Sequence, residues 1–317
     1  MKKLKIVMIV ALILTMAIPA LANFREFEKI PVDPQLQAAV DAIARRATTE
    51  FAGQKLTPED FAISLVDLTD PAHPRRASFH GDVPFYPASV VKLFFLVDAW
   101  HQIDARTLVP DEEMKRGLRD MIVQSSNDAT SYVVDRITRT TSGPNLYGRK
   151  WRIFEERRFA PTRWFREMGY DVSAAIKTFC EGPYGREVEL LGPNYENRNH
   201  ATADAIASLE TWIARKEAVS PEASEAMLAL MHRTVPADDP GVTDEQVIHF
   251  LGQTLPAGSE LWSKAGWTST VWHDAAIVQL PTGQRYVAVV MTRNAVDGDG
   301  IFAALSEWIR GAIVTVK

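Results

Sequence analysis

The segment Pro87-Ala88-Ser89-Val90-Val91-Lys92-Leu93-Phe94-Phe95-Leu96-Val97 is apolar on every side of a helix and yet carries one lysine. Such a helix is buried on all faces, and lysine is almost never fully buried without a partner. Burial weakens the amine's hold on its proton. The free amine can then take the hydroxyl proton of a serine within hydrogen-bond reach. Ser89 stands three residues earlier, on the same face and at the helix N-terminus. Ser-x-x-Lys is short enough to recur by chance, and a lysine that snorkels out of a core helix leaves the same pattern.

Two further clusters could serve that pair. Ser125-Ser126-Asn127 follows a helix ending near Gln124 and precedes a helical segment, Ala129 to Ile137. Short polar residues at such a junction are ordinarily caps, while a reactive site would use Ser125 as a proton relay and Asn127 as an amide clamp. In Ser263-Lys264-Ala265-Gly266-Trp267, strand alternation puts Lys264 and Gly266 on one face. Gly266 leaves room there for a ligand backbone, although a strand lysine is usually solvated.

The elements that must position these residues follow from local signals. Asp33-Pro34 caps a helix to about Phe51, with Leu36, Val40, Ile43 and Ala47 at helical spacing. Phe61–Leu68 reads as a strand and Arg76–Val83 as its hairpin partner. From Pro87 to about Arg233 the signals are almost wholly helical, including the Ser220-Pro221 start. Glu260–Trp267, His273–Leu280 and Arg285–Thr292 read as three strands, the last two joined by Pro281-Thr282-Gly283. A helix over Ile301–Val316 closes the chain after Asp297-Gly298-Asp299-Gly300, a turn that lacks the later glutamate of a calcium loop. This order predicts an α+β fold, with one antiparallel sheet of five strands flanked by the terminal helices and a helical lobe inserted.

At 317 residues, with 46% apolar and 24% charged side chains, the chain can bury a sizeable core. Lys2, Lys3 and Lys5 precede an apolar run from Ile6 to Ile18, and Ala20-Leu21-Ala22 completes the pattern of a cleaved signal peptide. The apolar run is too short for a bilayer span, so 1–22 are expected to be removed, leaving a periplasmic or secreted protein without stable membrane insertion. That loss takes Lys+Arg from 35 to 32 against 40 Asp+Glu, a net charge of −8 that argues against a nucleic-acid partner. The single cysteine, Cys180, forms no internal disulfide and reads as a core residue. No linker divides residues 23–317, which form one catalytic domain with an α/β lobe (23–85 and 255–317) and a helical lobe (86–254). The seven histidines lack metal-ligand spacing, and no Gly-x-Ser-x-Gly elbow or phosphate-binding glycine loop occurs. No metal or cofactor is expected.

Ser89-Val90-Val91-Lys92, Ser125-Ser126-Asn127 and Lys264-Ala265-Gly266 occur in the order of the three motifs of the penicillin-recognising serine hydrolases. The chain resembles a class A serine β-lactamase over nearly all of residues 23–317. The resemblance implies Ser89 as the acylated nucleophile, Lys92 as its base and Ser125 as proton donor to the leaving nitrogen. It implies Asn127 on the substrate's side-chain amide, and Lys264 lending positive charge to Ser125 and the substrate carboxylate. The backbone N–H groups of Ser89 and Trp267 would form the oxyanion hole beside Gly266. A monomer acting on a small β-lactam or a cell-wall peptide is expected.

Three departures stand out. Ala265 replaces the usual hydroxyl residue between lysine and glycine, and Ser126 replaces the usual aspartate. The basic aromatic run Tyr147–Arg166 has no counterpart that can be placed. The glutamate that activates the deacylating water matches Glu181 best, with Glu187, Glu189 and Glu196 as rivals. If none serves, the acyl-enzyme persists and the protein is a D-alanyl-D-alanine carboxypeptidase or other penicillin-binding peptidase or esterase. A non-hydrolysing ligand-binding or sensor domain of the same fold is the further alternative, favoured by Ala265.

Overall fold

The computed structural model describes residues 23–179, 182–294 and 298–316. Residues 1–22, expected above to be a signal peptide, and Cys180, Glu181 and Asp297 lie outside the described residues. Helix α1 (Pro34–Glu50) starts where expected: Asp33 accepts a hydrogen bond from Leu36 N at 2.7 Å, and Pro34 occupies the first turn, where no N–H is needed. Its buried face, Leu36, Val40, Ile43, Ala44 and Ala47, packs on one side of the sheet beside the last helix, Asp299–Thr315. Each such aliphatic side chain contributes about 1.5–3 kcal/mol by leaving water.

The main sheet has six antiparallel strands: β1 (Phe61–Asp67), β2 (Arg75–Phe79), β3 (His232–Arg233), β4 (Glu260–Trp267), β5 (Trp272–Gln279) and β6 (Arg285–Thr292), in the order β2-β1-β6-β5-β4-β3. The sixth member, β3, is a two-residue edge strand paired with Leu261 and Trp262. It is too short to show alternation, which is why five strands are expected from sequence. The second strand also stops earlier than its apolar pattern suggests. His80 turns into the left-handed region at φ 50°, and Pro84–Phe85 then joins a separate three-stranded sheet with Val172–Ser173 and His200–Thr202. The block between Pro87 and Arg233 therefore contains short strands as well as helices.

Alternation divides the two faces of the sheet. Ile63, Leu65, Ala265, Ala276, Ala288 and Val290 face the terminal helices, whereas Ala62, Val66, Ala275, Val287, Val289 and Met291 face the helical block. That second face receives α2 (Lys92–Asp104) and α7 (Ala203–Ala214), the latter buried along nearly its whole length. Between them in sequence come α3 (Glu112–Ile122), α4 (Asn127–Thr138), α5 (Arg149–Arg158) and α6 (Ala160–Glu167). Among the described residues no helix is long and apolar enough to cross a membrane.

Candidate active site

The chain reaches the site along three elements. Ser89 lies in a 3-10 turn, Ala88–Val91, that leads directly into α2 at Lys92. Ser125 sits in the turn between α3 and α4, where Ser126 is the N-cap, accepting from Ala129 N at 3.1 Å. The cap reading of that triplet thus holds for Ser126, and Ser125 is left beside Lys92. Lys264 and Gly266 lie on β4, and the turn bearing Ser89 packs against this strand. Ser89 is half-buried, while Lys92 and Lys264 are fully buried.

Lys92 Nζ stands 2.9 Å from Ser89 Oγ, 2.6 Å from Ser125 O, 3.1 Å from Ser125 Oγ and 3.0 Å from Asn127 Oδ1. The two carbonyl oxygens can only accept, so two N–H groups go to them. In the neutral amine, the lone pair is then available to the Ser89 O–H. Asn127, expected as a substrate clamp, thus also orients the amine through its Oδ1.

Lys264 Nζ approaches the other side of Ser125 Oγ at 2.9 Å, and it also donates to Ala265 O at 2.6 Å and to Gln246 Oε1. Three acceptors match the three N–H groups of an ammonium. Burial, with the positive charges of Lys92 and Arg233 close by, nevertheless holds Lys264 well below the usual lysine range. Two cations sharing one hydroxyl resist carrying two protons together. Proton loss at Lys264 is therefore easier than at a lysine in water.

Gly266 explains the close packing. A Cβ added there would lie 2.7 Å from Ser89 N, 2.8 Å from Val90 N and 3.0 Å from Pro87 O, all backbone atoms. Only glycine lets β4 come this near the turn that carries the nucleophile candidate. Trp267 follows, half-buried, with its ring 5.5 Å from that of Phe250.

Three supporting residues carry no sequence signal of their own. Gln246 bridges the site by taking Lys264 on its Oε1 and donating from Nε2 to Val123 O at 2.9 Å. Arg233 donates to Ile122 O at 2.8 Å, Val123 O at 3.0 Å and Asp244 at 2.9 Å, satisfying the carbonyls where α3 ends. His273, fully buried, donates from Nε2 to Tyr86 O at 2.7 Å and accepts at Nδ1 from Thr292 N at 3.2 Å. That pairing fixes one neutral tautomer. Burial, opposed by the bond to Tyr86, lowers the proton affinity of the ring to a pKa of about 4.

The glutamates separate. The Glu187 carboxylate is buried and held by Arg158 at 2.6 and 2.9 Å and by Ser142 Oγ at 2.8 Å, an arrangement that leaves it no part in activating water at Ser89. Glu189 is exposed, and the exposed Glu196 accepts from Asn194 N at 2.9 Å. Glu181 lies outside the described residues. The run Tyr147–Arg166 becomes α5 and α6, and Arg158 is its one fully buried cation.

The sequence profile of the beta-lactamase enzyme family matches residues 115–311. Solved structures with the same fold include PBP-A, at 20% identity over 90% of this chain and 99% of that one, with a TM-score of 0.62. A beta-lactamase from Sphaerobacter thermophilus DSM 20745 is 18% identical over 87% of this chain and 98% of its own, with a TM-score of 0.62. The TLA-1 extended-spectrum beta-lactamase is 12% identical over 87% and 100%, with a TM-score of 0.63. No curated protein matches the chain.

Proposed function

The chain belongs to the beta-lactamase enzyme family, and on that footing we propose that it is an exported serine hydrolase that opens a β-lactam amide through an acyl-enzyme on Ser89. The observation that supports this most directly is the placement of Lys92 Nζ 2.9 Å from Ser89 Oγ with two of its N–H groups already committed to carbonyl oxygens. Ser89 Oγ attacks the lactam carbonyl carbon while its proton passes to Lys92. The carbonyl oxygen takes up the negative charge against the backbone N–H groups of Ser89 and Trp267, donors worth roughly 3–4 kcal/mol each in other acyl-transfer enzymes. As the C–N bond breaks, Ser125 gives its proton to the leaving nitrogen and recovers one from the lysines on either side of it. Asn127 meets the substrate's side-chain amide, and Lys264 its carboxylate. A bound carboxylate restores to Lys264 the proton that burial disfavours. Ala265 offers no hydroxyl to that carboxylate, so the lysine carries more of its binding. Water then cleaves the ester, with Glu181 as its base.

Intact mass spectrometry after adding benzylpenicillin tests this, with Ser89→Ala as the control. An adduct that depends on Ser89 and decays within seconds, as hydrolysed drug accumulates, is the expected result. A persistent adduct assigns the chain to penicillin-binding peptidases, and no adduct at all refutes acylation by lactams.

A further inference from the structure

We propose that the groove between α5 and the connection after α4 binds a phosphate-bearing anion, at a site separate from Ser89. The run from Tyr147 to Arg166 holds Arg149, Lys150, Arg152, Arg157, Arg158, Arg163 and Arg166 against only Glu155 and Glu156, in a chain whose acids otherwise outnumber its bases. Arg158 turns inward to Glu187. Lys150 and Arg157 instead join Arg139 and Arg186 around a groove of about 320 Å³ floored by Leu146, Ile153 and Phe154. No acidic residue lines it.

The four cations lack the acidic partner that several other arginines of this surface have. Arg116, Arg136, Arg215 and Arg293 each pair with a carboxylate, at 2.5 to 3.1 Å. Among the described residues, none of Arg139, Lys150, Arg157 and Arg186 has a carboxylate oxygen within 4.0 Å. Like charges gathered without an acid repel one another, and a multiply charged anion relieves that repulsion.

The guanidinium groups are also held in place. Arg157 donates to Arg139 O at 3.2 Å, Arg139 to Thr107 O at 3.3 Å, and Arg186 to Pro144 O at 2.9 Å and Thr141 O at 3.3 Å. Arg186 lies over the Phe154 ring at 5.6 Å, and Arg158 over the same ring at 5.4 Å. A guanidinium has five N–H donors, so each of the three keeps at least three for a ligand while paying little further ordering entropy. A phosphoryl group brings up to two negative charges and three acceptor oxygens in a compact volume, which suits several forks better than a single carboxylate does. The apolar floor accommodates the organic part of a phosphate ester. The groove shares no residue with the Ser89 cluster, so this inference does not rest on the proposed lactam chemistry.

The test is calorimetric titration of the mature chain with inorganic pyrophosphate, together with sedimentation with phosphatidylglycerol vesicles and with phosphatidylcholine vesicles. The expected result is one pyrophosphate per chain, with affinity falling as salt rises. The double variant Lys150→Gln/Arg157→Gln loses about 100-fold, as two charge-assisted contacts predict. Lys115→Gln/Arg119→Gln, which removes the same charge from the surface of α3, binds like the parent. Co-sedimentation with phosphatidylglycerol alone, abolished in the groove variant, identifies a lipid headgroup as the phosphate source. Its absence alongside pyrophosphate binding identifies a free phosphate compound. Failure of pyrophosphate and phosphatidylglycerol alike to bind, or binding that the groove variant leaves unchanged, overturns the proposal.

Discussion

Replacing Gly266 by alanine tests the geometry of the site more directly than removing any reactive group. The new methyl lies 2.7 Å from Ser89 N, about 0.7 Å inside the 3.4 Å at which ordinary contact begins, and its other near neighbours, Val90 N and Pro87 O, are backbone too. No flexible side-chain end can give way, so either β4 or the Ala88–Val91 turn must move by several tenths of an ångström. β4 is paired with β5 along its whole length, with His273 opposite Gly266, whereas the turn is a short loop leading into α2, so the shift falls on the segment that carries Ser89. A displacement approaching 1 Å at a reacting centre costs about 100-fold in rate, and overpacking of this kind destabilises a fold by about 1–3 kcal/mol. Stopped-flow acylation by a chromogenic cephalosporin gives the first quantity and urea denaturation the second. Acylation should fall by about two orders of magnitude while the protein stays folded at room temperature. A Gly266→Ala protein that acylates within threefold of the parent would show that the turn is not held against β4 as described, and the argument from close approach would fail.

Two predictions concern buried charge. Arg158→Met removes the guanidinium bonded to Glu187 and strands a carboxylate with no exposure; the loss should be about 3–5 kcal/mol in urea denaturation, and a loss under 1 kcal/mol would mean that Lys177 and Ser142 satisfy Glu187 unaided. Asp98 is buried on α2, and burial, opposed by a hydrogen bond from Gln102, raises its pKa from 3.8 to about 7. The folded state thus holds a proton that the unfolded chain releases, a contribution fully present below about pH 4 and lost as the pH rises through about 7. Asp98→Asn should therefore be more stable than the parent at pH 8, by on the order of 4 kcal/mol, with the gap closing toward pH 4. Equal stability curves from pH 4 to pH 8 would show that Asp98 is not buried as an acid.

Much of the fold was legible because its signals are local. Asp33-Pro34 and Ser220-Pro221 start helices at the expected residues, and the last three strands fall within a residue of their apolar patterns. What stayed hidden depends on pairing across distance. The edge strand His232–Arg233 exists only because β4 offers it a partner, and the early end of β2 is set by a left-handed turn at His80 that no residue type announces. In the site, Ser89 and Lys92 could be linked by spacing alone, since three residues along a helix share a face. Ser125 and Lys264 needed the order of three motifs, and the structure brings their side-chain atoms to 2.9 Å across 139 residues. Gln246 had no signal, being a surface-type residue whose burial follows from the turn that presents it.

The supporting residues share one task, which backbone strain makes visible. Ala88 and Ser125, one beside Ser89 and one bonded to Lys92, adopt φ of 46° and 52°, a conformation that costs a non-glycine residue about 1–2 kcal/mol. Each strained residue follows an anchor that no catalytic argument requires. Tyr86 O, two residues before Ala88, is held by His273, and the carbonyls of Ile122 and Val123, just before Ser125, are held by Arg233 and Gln246. Hydrogen bonds to buried carbonyls that would otherwise go unpaired are each worth about as much as the strain at one residue. The turns therefore keep a conformation they would not hold alone, and that conformation brings two serine hydroxyls within hydrogen-bond distance of one buried amine. His273 can hold both partners only while neutral, because its second nitrogen must accept from Thr292 N. Its lowered proton affinity therefore keeps the bond from Thr292 N, and protonation near pH 4 should release Thr292 N while Nε2–H stays on Tyr86 O.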